Sequence, residues 1–475
     1  MMSDLKFGTS GLRGLVSELT DEVCRSYTIA FLSYLQKCDK QGLNKALLVG
    51  YDLRSSSQSI AQAVMRAAKD FGFVVTNFGS LPTPALALAA KSQECPAIMI
   101  TGSHIPDDRN GLKFYRSSGE INKEDEKSII ANLKTTIIPK NCHYVPEIDQ
   151  TALSNYRLRC LSILPPKSLL GMRIGVYQHS SVARDLLVDI LRTLAADVIS
   201  IGRSDRFIAI DTEALGEEDH RIAENACEKY RLDAVVSTDG DADRPLIANS
   251  DGAFINGDLI GILTAQFLGA KVVATPVTST AAVERCGLFA KVYRCQVGSP
   301  YVIDAMQHAV ADGNDSVVGF EANGGVLLGS NFNLNGHVVQ ALATRDAILP
   351  ILCVLGLAKN RNMSLIKLRD TLPPVFTESG RLQKIEVENS HQALEQLQND
   401  KIRERFFAQL GPMKQWDKID GLRVILKNGD TIHFRASGNA PELRCYSQSS
   451  NQERARFLLN WGLSAIKGLM PTPKT

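Results

Sequence analysis

The sequence of 475 residues has little excess charge and no long apolar run. Its 53 basic and 51 acidic residues give a net charge of +2, so neither a nucleic acid nor a membrane surface is expected as a partner. The longest apolar stretch, residues 348–358, contains a proline and falls well short of the ~20 residues that span a bilayer. That stretch instead predicts a buried helix, and the balanced charge still allows a small anionic ligand to bind locally.

The sequence also lacks paired cysteines. Its ten cysteines are scattered, and no two form a C-x-x-C pair or have the spacing of a zinc site. This pattern favours reduced thiols in a cytoplasmic protein. The first residues, MMSDLKFGTSGLRG, contain no apolar core of a signal peptide, which also favours a cytoplasmic location.

Short β-rich runs alternate with helical segments along most of the chain. Residues 46–52 predict a strand, and an amphipathic helix follows, with Ser56 or Ser57 as its N-cap and Gly72 beyond its end. This βαβ rhythm predicts mainly parallel sheets covered by helices.

The rhythm begins again at Met172 and at Lys271, whereas the C-terminal part predicts an antiparallel sheet with helices and a tight turn at residues 428–430. We therefore predict an α/β fold of four domains around a central cleft: three successive α/β units with mixed sheets, then an α+β domain. The predicted domains are residues 1–150, 151–250, 251–368 and 369–475.

Each predicted domain contains one apolar strand that runs into an unusually polar loop. Because ligands of open α/β sheets bind beyond the carboxyl ends of strands, these loops are expected to converge on one cleft. The four loops are TGSHIP from Thr101, TDGDADRP from Thr238, FEANGG from Phe320 and RASGNAP from Arg435.

The second loop predicts a metal site. Asp239, Asp241 and Asp243 alternate with small residues, and carboxylates this close repel one another unless a cation lies among them. Oxygen ligands suit a hard ion such as Mg²⁺. An EF-hand needs a glycine and a glutamate where Arg244 and Ser250 stand, and a solvated acidic turn fits poorly after so apolar a strand.

The fourth loop has the composition of a phosphate-binding site. Ser437, Gly438 and Asn439 offer backbone N–H groups, and Arg435 and Arg444 flank them as donors of bidentate hydrogen bonds. A plain turn after a strand is the alternative.

Two other loops carry weaker signals. Glu321 and Asn323 in the third loop could bracket adjacent sugar hydroxyls, but an ordinary turn is as good an interpretation. Near the N-terminus, Arg13 lies in a small-residue loop, and Asp52 and Arg54 follow a strand, where ordinary loop chemistry is again the alternative.

The first loop places Ser103 beside His104, as in a hydrolase dyad. Adjacent residues on a strand or at its end seldom point their side chains at each other. We therefore expect His104 to support the loop or to contact phosphate, and we expect Ser103 to find its partners elsewhere in the chain.

Five motifs, taken in order, resemble those of the α-D-phosphohexomutase superfamily, the phosphoglucomutase and phosphomannomutase enzymes. One such motif would be a weak signal, but five in the expected order are highly specific, and they extend over nearly the whole chain. The motifs are FGTSGLRG, TGSHIP with NGLK, DGDADR, GFEANGG and RASGNAPELR. GFEANGG and SGNAPELR look most like the bacterial phosphomannomutase branch.

The resemblance implies a role for each matching residue. Ser103 would carry a phosphoryl group, and an oxygen on it would help the three aspartates to hold one Mg²⁺. Arg244 would meet the substrate or the phosphoserine, and Arg13 and Lys113 would lie near the reacting oxygens, with Lys113 as the candidate base. Substrate-binding residues would be His104, Glu321, Asn323, Arg435, Ser437, Gly438, Asn439 and Arg444.

The implied enzyme is a phosphomannomutase that interconverts mannose 6-phosphate and mannose 1-phosphate through a phosphoserine enzyme and a hexose 1,6-bisphosphate, which is also the activator. The alternatives are a phosphoglucomutase or a dual-specificity phosphohexomutase and, from other classes, a Mg²⁺-dependent sugar phosphatase or a non-catalytic sugar-phosphate binder. The expected partner is a small phosphosugar, and the expected assembly is a monomer or homodimer. Two residues depart from the common pattern of the family. Ala242 stands where glycine is common, and Ser299 stands where some members have histidine.

Overall fold

The computed structural model describes residues 5–8, 11–38, 45–133, 144–437 and 441–470. The chain divides into two compact units. Unit 1 comprises Met1–Val273 and Gly298–Arg369, and unit 2 comprises Ala274–Val297 and Asp370–Thr475. The finer division into four domains stays a prediction.

Strands and helices alternate along the chain. The strands are β1 (Lys6–Phe7), β2 (Leu12–Leu15), β3 (Ala46–Tyr51), β4 (Val74–Ser80), β5 (Ala97–Ile100), β6 (Arg109–Arg116), β7 (Gly119–Glu120), β8 (Arg173–His179), β9 (Asp197–Arg203), β10 (Ala234–Thr238), β11 (Pro245–Ala248), β12 (Val272–Pro276), β13 (Lys291–Cys295), β14 (Val317–Phe320), β15 (Val326–Leu328), β16 (Phe332–Leu334), β17 (His337–Val339), β18 (Leu342–Asp346), β19 (Phe376–Gln383), β20 (Met413–Asp417), β21 (Leu422–Leu426), β22 (Thr431–Ala436) and β23 (Glu442–Ser449). The helices are α1 (Asp21–Cys38), α2 (Ser57–Asp70), α3 (Thr83–Ser92), α4 (Lys123–Ala131), α5 (Thr151–Leu161), α6 (Arg184–Thr193), α7 (Glu217–Tyr230), α8 (Gly257–Leu268), α9 (Ala282–Arg285), α10 (Ser299–Ala311), α11 (Ile348–Arg361), α12 (Leu365–Arg369), α13 (Val387–Gln396), α14 (Asp400–Phe407) and α15 (Gln452–Lys467), and a 3-10 turn covers Ala408–Leu410.

The first sheet of unit 1 has the order β1-β2-β6-β5-β3-β4, with β7 added to β6. Strand β3 pairs parallel with β4 and β5, whereas β5 pairs antiparallel with β6. The prediction for residues 46–72 is confirmed: β3 is followed by α2 with Ser56 as N-cap, and Gly72 lies beyond its end with φ +88°. Phe31, Phe114 and Met65 pack in the core of this part.

The second sheet has the order β11-β10-β8-β9. Strand β8 pairs parallel with β9 and β10, and β10 turns back antiparallel into β11. Thr238 pairs with Pro245 at the end of this hairpin, so residues 239–244 form its loop. The predicted metal loop is therefore a short connection that both of its strands hold in place.

The third predicted loop lies in a similar connection. Strands β14, β15 and β18 pair antiparallel, and residues 321–325 join β14 to β15. Helix α11 follows β18, and residues 348–358 of this helix are all buried, which confirms the buried helix predicted from the apolar run.

Unit 2 contains an antiparallel sheet of order β19-β23-β22-β21-β20. Phe434, Cys445 and Leu458 are buried in its core. The predicted turn at residues 428–430 joins β21 to β22, with Gly429 at φ +89°. The mixed α/β fold with an α+β part at its C-terminal end is thus confirmed.

Candidate active site

Ser103 is held in an unusual backbone conformation directly after β5. Its φ is +53°, in the left-handed region that few side-chain-bearing residues adopt, and its side chain is buried. Its backbone N–H donates to Thr101 Oγ1 over 2.7 Å. Its hydroxyl donates to Asp239 Oδ2 over 2.6 Å, so the structure brings together the predicted phosphoryl carrier and the predicted metal loop.

His104 lies closer to Ser103 than expected. Its Nδ1 is 3.4 Å from Ser103 Oγ, and the positive φ of Ser103 explains why adjacent side chains can approach here. The expectation that they point apart is therefore wrong. Burial and then the nearby Arg244 and Arg13 lower the pKa of His104 to about 2, so the ring is neutral at physiological pH. Its predicted role in substrate binding stays a prediction.

Arg54 anchors the Ser103 loop, a role that sequence reasoning did not assign to it. Its guanidinium donates to Asp52 over 3.2 Å, and both side chains are fully buried. Asp52 in turn accepts hydrogen bonds from the hydroxyls of Thr101 and Ser57 over 2.7 and 2.5 Å. The guanidinium also donates to four backbone carbonyls of the loop, those of Ser103 (2.9 Å), Ile105 (2.5 Å), Pro106 (2.7 Å) and Arg109 (3.0 Å).

The three loop aspartates form a buried cluster. One carboxylate oxygen from each of Asp239, Asp241 and Asp243 lies within 4.8 Å of the others. Asp239 Oδ1 accepts the backbone N–H groups of Asp243 and Arg244 over 3.1 Å, which fixes the loop. Burial, together with the other two carboxylates, raises the pKa of Asp239 well above its ordinary value. Ala242 lies between Asp241 and Asp243 and has a φ of +58°. Glycine adopts such a φ most readily, and glycine is the common residue at this position in the family that the sequence resembles.

Lys113 on β6 reaches the same cluster. Its Nζ lies 2.6 Å from Asp241 Oδ2 and 2.7 Å from Asp243 Oδ2, and the side chain is buried. Burial acts to lower the pKa of Lys113, but Asp241 and then Asp243 outweigh it and raise the pKa. The ammonium is therefore charged here, and Lys113 must lose a proton before it can serve as the predicted base.

The carboxylate oxygens that Lys113 does not contact fit a cation. Asp241 Oδ1 and Asp243 Oδ1 are buried and accept no hydrogen bond from the described residues. Arg244 Nε approaches Asp243 Oδ1 at 3.7 Å, beyond hydrogen-bonding distance. Together with the oxygens of Asp239 and Ser103, these atoms form an oxygen donor set of the kind that Mg²⁺ prefers.

Two arginines beside this cluster fit an anion. Arg13 Nε and Arg244 Nε and Nη1 are buried, and within the described ranges they donate no hydrogen bond. Burial, with the charges of Arg244 and Arg345, lowers the pKa of Arg13 to about 10. Guanidinium groups that repel each other and have buried N–H groups without an acceptor among the described residues are suited to a phosphoryl group, whose oxygens accept hydrogen bonds.

Arg345 on β18 is a further site residue, and sequence reasoning missed it. Its Nη2 lies 2.7 Å from Asp243 Oδ2, and its Nη1 lies 2.8 Å from Glu321 Oε2 and 2.5 Å from Ser299 Oγ. It therefore joins the metal loop to the predicted sugar loop. No motif marked it, because it lies inside a strand and acts only through residues distant in sequence.

The sugar loop itself is well ordered by short-range hydrogen bonds. Asn323 Oδ1 accepts the N–H of Gly325 over 2.9 Å, and Gly324 N–H donates to the carbonyl of Glu321 over 3.0 Å. Glu321 and Asn323 are both buried, at 5% and 6% exposure. Arg345 thus orients the carboxylate of Glu321, whereas the amide oxygen of Asn323 accepts a hydrogen bond from within the loop.

Unit 2 carries the predicted phosphate loop between β22 and β23. Arg435 and Arg444 lie opposite each other on these two strands, and each is paired with an acid: Arg435 with Asp420 over 2.8 Å and Arg444 with Glu442 over 2.8 Å. Two like charges facing each other across a ladder are unfavourable without such partners or a bound anion. Ser437 is buried, and its N–H donates to the carbonyl of Glu442. Gly438 and Asn439 lie outside the described residues.

Comparisons with known proteins identify the family of the chain. Residues 4–137 match the family described as Phosphoglucomutase/phosphomannomutase, alpha/beta/alpha domain I, and residues 256–376 match its alpha/beta/alpha domain III. A phosphomannomutase of Salmonella muenchen is 43% identical over 469 residues, which cover 98% of this chain and 96% of the relative. A phosphomannomutase of Sinorhizobium fredii is 42% identical over 473 residues, which cover 98% and 99%.

Solved structures share the fold. A phosphoglucomutase/phosphomannomutase family protein from Burkholderia thailandensis aligns with a TM-score of 0.78 at 19% identity, covering 97% of each chain. The Paramecium phosphoglucomutase parafusin, in its open form, aligns with a TM-score of 0.72 at 16% identity, covering 98% of this chain and 96% of that one. In the ranges that the structure describes, no helix has the length and apolar character needed to cross a membrane. From its matched domains and its relatives over nearly the full length, the chain belongs to the phosphoglucomutase/phosphomannomutase family.

Proposed function

We propose that this protein is a phosphomannomutase that interconverts mannose 6-phosphate and mannose 1-phosphate through phosphorylated Ser103. The hydrogen bond between Ser103 Oγ and Asp239 Oδ2 carries the proposal, because it joins the proposed phosphoryl carrier to a member of the carboxylate cluster. The relatives that match nearly the whole chain at 42–43% identity are phosphomannomutases, which favours mannose. A phosphoglucosamine mutase of Nautilia profundicola is more distant, at 31% identity over 352 residues.

The proposed cycle consists of two phosphoryl transfers. In the first, the free sugar hydroxyl attacks the phosphorus of phosphorylated Ser103, a new sugar O–P bond forms, and the Ser103 Oγ–P bond breaks. The hydroxyl proton passes to a base, for which Lys113 is the candidate after it has lost its own proton. The product of this step is a hexose 1,6-bisphosphate. The bisphosphate then turns over, and Ser103 Oγ attacks the phosphorus of the sugar's original phosphoryl group. A new Ser103 Oγ–P bond forms, the sugar O–P bond breaks, and the proton held by the base passes to the released sugar oxygen.

The described residues supply the charge that this chemistry requires. Arg13 and Arg244 would bind the phosphoryl oxygens through their buried N–H groups, which donate no hydrogen bond to described residues. Mg²⁺ bound by the three aspartates and an oxygen on Ser103 would neutralise further charge on the phosphoryl group.

The remaining predicted residues would hold the rest of the substrate. We assign the sugar hydroxyls to Glu321 and Asn323. His104 would contact the substrate beside Ser103. The phosphate that is not transferred would be bound in unit 2 by Arg435, Ser437, Gly438, Asn439 and Arg444.

A parallel assay tests both reaction and substrate. Mannose 1-phosphate and glucose 1-phosphate are supplied separately with Mg²⁺ and the matching bisphosphate, and formation of the 6-phosphate is followed together with release of free phosphate. Faster conversion of the mannose substrate without phosphate release supports the proposal. Preference for glucose would make the enzyme a phosphoglucomutase, and equal rates would make it a dual-specificity phosphohexomutase. Stoichiometric phosphate release would make it a phosphatase, and binding without conversion would make it a sugar-phosphate binder.

A cytoplasmic location and a monomeric or homodimeric assembly stay predictions. Sedimentation of the purified protein tests the assembly directly.

A further inference from the structure

Arg345 joins two of the predicted loops of unit 1 through its guanidinium group. Its side chain is 3% exposed. Its Nε and Nη2 donate to the same oxygen of Asp243, Oδ2, over 3.2 and 2.7 Å, and its Nη1 donates to Glu321 and Ser299. One guanidinium therefore holds a carboxylate of the metal loop and the carboxylate of the sugar loop at the same time. The planar fork of arginine presents different nitrogens to the two acids, whereas a lysine has a single nitrogen for both.

The space that Arg345 occupies exists because residue 325 is a glycine. A Cβ atom at Gly325 would lie 2.5 Å from Arg345 Cδ and 2.8 Å from its Cγ, closer than two carbon atoms approach without displacement, and 3.0 Å from Asn323 Oδ1. Strands β15 and β18 pair next to this point, with Val326 opposite Asp346. Gly325 and Arg345 thus form a matched pair, and any side chain at residue 325 would push the guanidinium away from the two acids.

The two bridged acids have different tasks in the proposed reaction. Oδ2 of Asp243 accepts hydrogen bonds from Arg345 and Lys113, which leaves Oδ1 to bind the cation. Glu321 keeps Oε2 on Arg345, and this contact orients its carboxylate in the sugar loop. If either carboxylate shifts, the guanidinium that both share must shift with it. The other carboxylate must then follow, because it is hydrogen-bonded to the same guanidinium.

We propose that Arg345 is a positioning residue that couples binding of the divalent cation at Asp243 to binding of the sugar hydroxyls at Glu321. The inference rests on the proposed phosphohexomutase function and deepens it. Coupling between two sites is reciprocal, so the sugar phosphate should tighten Mg²⁺ binding by the same factor by which Mg²⁺ tightens binding of the sugar phosphate.

Calorimetry tests the coupling without depending on turnover. Mg²⁺ is titrated into the full-length protein with and without mannose 6-phosphate. We expect the sugar phosphate to tighten Mg²⁺ binding at least fivefold in the parent protein. In Arg345→Met and in Arg345→Lys, which keeps the charge but replaces the three contacting nitrogens by one, the coupling factor should fall to about one.

A second variant displaces Arg345 without changing any charge. Gly325→Ala should also abolish the coupling and raise both the KM for the sugar phosphate and the Mg²⁺ concentration for half-maximal activity. The control is Gly216→Ala, because an added Cβ there meets only Asp219 Oδ2, at an ordinary 3.5 Å. If Arg345→Met fails to fold, Gly325→Ala and Arg345→Lys decide the outcome.

The outcomes for this inference and for the proposed function can be told apart. If both variants keep the parent coupling factor while the parent protein isomerises its substrate, the Arg345 inference is wrong and the proposed function stands. If the variants only melt at lower temperature and bind Mg²⁺ and sugar phosphate as the parent does, Arg345 is merely structural and the inference is again wrong. If the parent protein shows coupled binding that the variants lose but catalyses no isomerisation, the proposed function fails and the coupling role stands.

Discussion

Ser103 Oγ donates a hydrogen bond of 2.6 Å to Asp239 Oδ2, although the two residues are separated by 136 positions in the sequence. The serine that matches the phosphoryl carrier of the resembled family therefore lies at the carboxylate cluster. Asp239 acts as acceptor to this hydroxyl and, through its other oxygen, to two backbone N–H groups of its own loop. The position of the serine and the shape of the metal loop thus depend on the same carboxylate.

Ser103→Ala should abolish turnover while leaving the fold intact. The variant removes the atom that carries the phosphoryl group, and loss of a catalytic nucleophile costs on the order of 10³-fold or more in kcat. The coupled mutase assay measures this loss, and intact-protein mass spectrometry after incubation with bisphosphate should show a phosphoryl adduct on the parent protein only. Ser59→Ala is the control, since Ser59 lies on α2 and its hydroxyl donates to the carbonyl of the N-cap residue Ser56. Retained activity in Ser103→Ala would exclude the phosphoserine cycle.

Mg²⁺ removal should inactivate the enzyme reversibly, and Asp241→Asn should weaken metal binding. Chelation takes the cation from the oxygens of Asp241 and Asp243 that accept no hydrogen bond from the described residues, and added Mg²⁺ should restore activity. Asp241→Asn replaces one anionic ligand by a neutral one, which we expect to raise the Mg²⁺ concentration for half-maximal activity by roughly 10- to 100-fold. Asp205→Asn is the matched control, because the Asp205 side chain is 96% exposed. Full activity in excess chelator would contradict the metal site.

How much of this site the sequence predicts depends on how far apart along the chain the interacting residues lie. The carboxylate cluster was predictable because its three members are two residues apart and their repulsion is local. The roles of Ser103 and Lys113 came from family resemblance, and the structure then places both at the cluster. Arg54 was seen only as a loop residue, since the carbonyls it anchors lie about fifty positions away. Arg345 gave no signal at all, because its partner Asp243 is 102 positions away.

The Ser103–His104 pair shows a different limit of sequence reasoning. The side-chain alternation of an extended strand predicts that neighbours point apart, and this rule fails where φ is positive. Nothing in TGSHIP identifies Ser103 as the residue with that conformation, because glycine, its neighbour at 102, is the residue that usually adopts it.

Arg54→Lys should reduce kcat with a smaller effect on stability than Arg54→Met. A lysine keeps a charge beside buried Asp52 but cannot donate to four loop carbonyls, so Ser103 loses its fixed position. A misplacement of about 1 Å costs roughly 10²-fold in rate. Methionine also leaves Asp52 as a buried unpaired acid, which should cost about 3–5 kcal/mol in the free energy of unfolding. Steady-state kinetics and urea denaturation measure the two effects.

The control for Arg54 is Arg66→Lys, because Arg66 forms a surface ion pair with Asp21 whose two side chains are 25% and 59% exposed. Such pairs contribute at most about 1 kcal/mol. Equal kcat values for Arg54→Lys and the parent protein would show that the loop is held in place without the guanidinium.

Unit 2 should become less stable as the pH falls from about 6.5 towards 4. His433 is buried, its Nε2 lies 2.5 Å from the carbonyl of Asp420, and its Nδ1 has no hydrogen-bond partner among the described residues. Burial lowers the pKa of His433 to about 4, whereas the unfolded chain has the ordinary value near 6.5. The unfolded state therefore takes up a proton first, and stability is lost with falling pH, by about 2 kcal/mol at pH 5.

His433→Gln removes this titration and keeps an N–H donor for the Asp420 carbonyl. The variant should thus lose less stability than the parent protein between pH 7 and pH 5. Tryptophan fluorescence follows unit 2 selectively, because the two tryptophans of the chain, Trp416 and Trp461, both lie in it. His391→Gln is the control, since His391 is an exposed histidine of the same unit. If the denaturation midpoints of the parent protein and His433→Gln fall in parallel, His433 is not the group that makes unit 2 sensitive to acid.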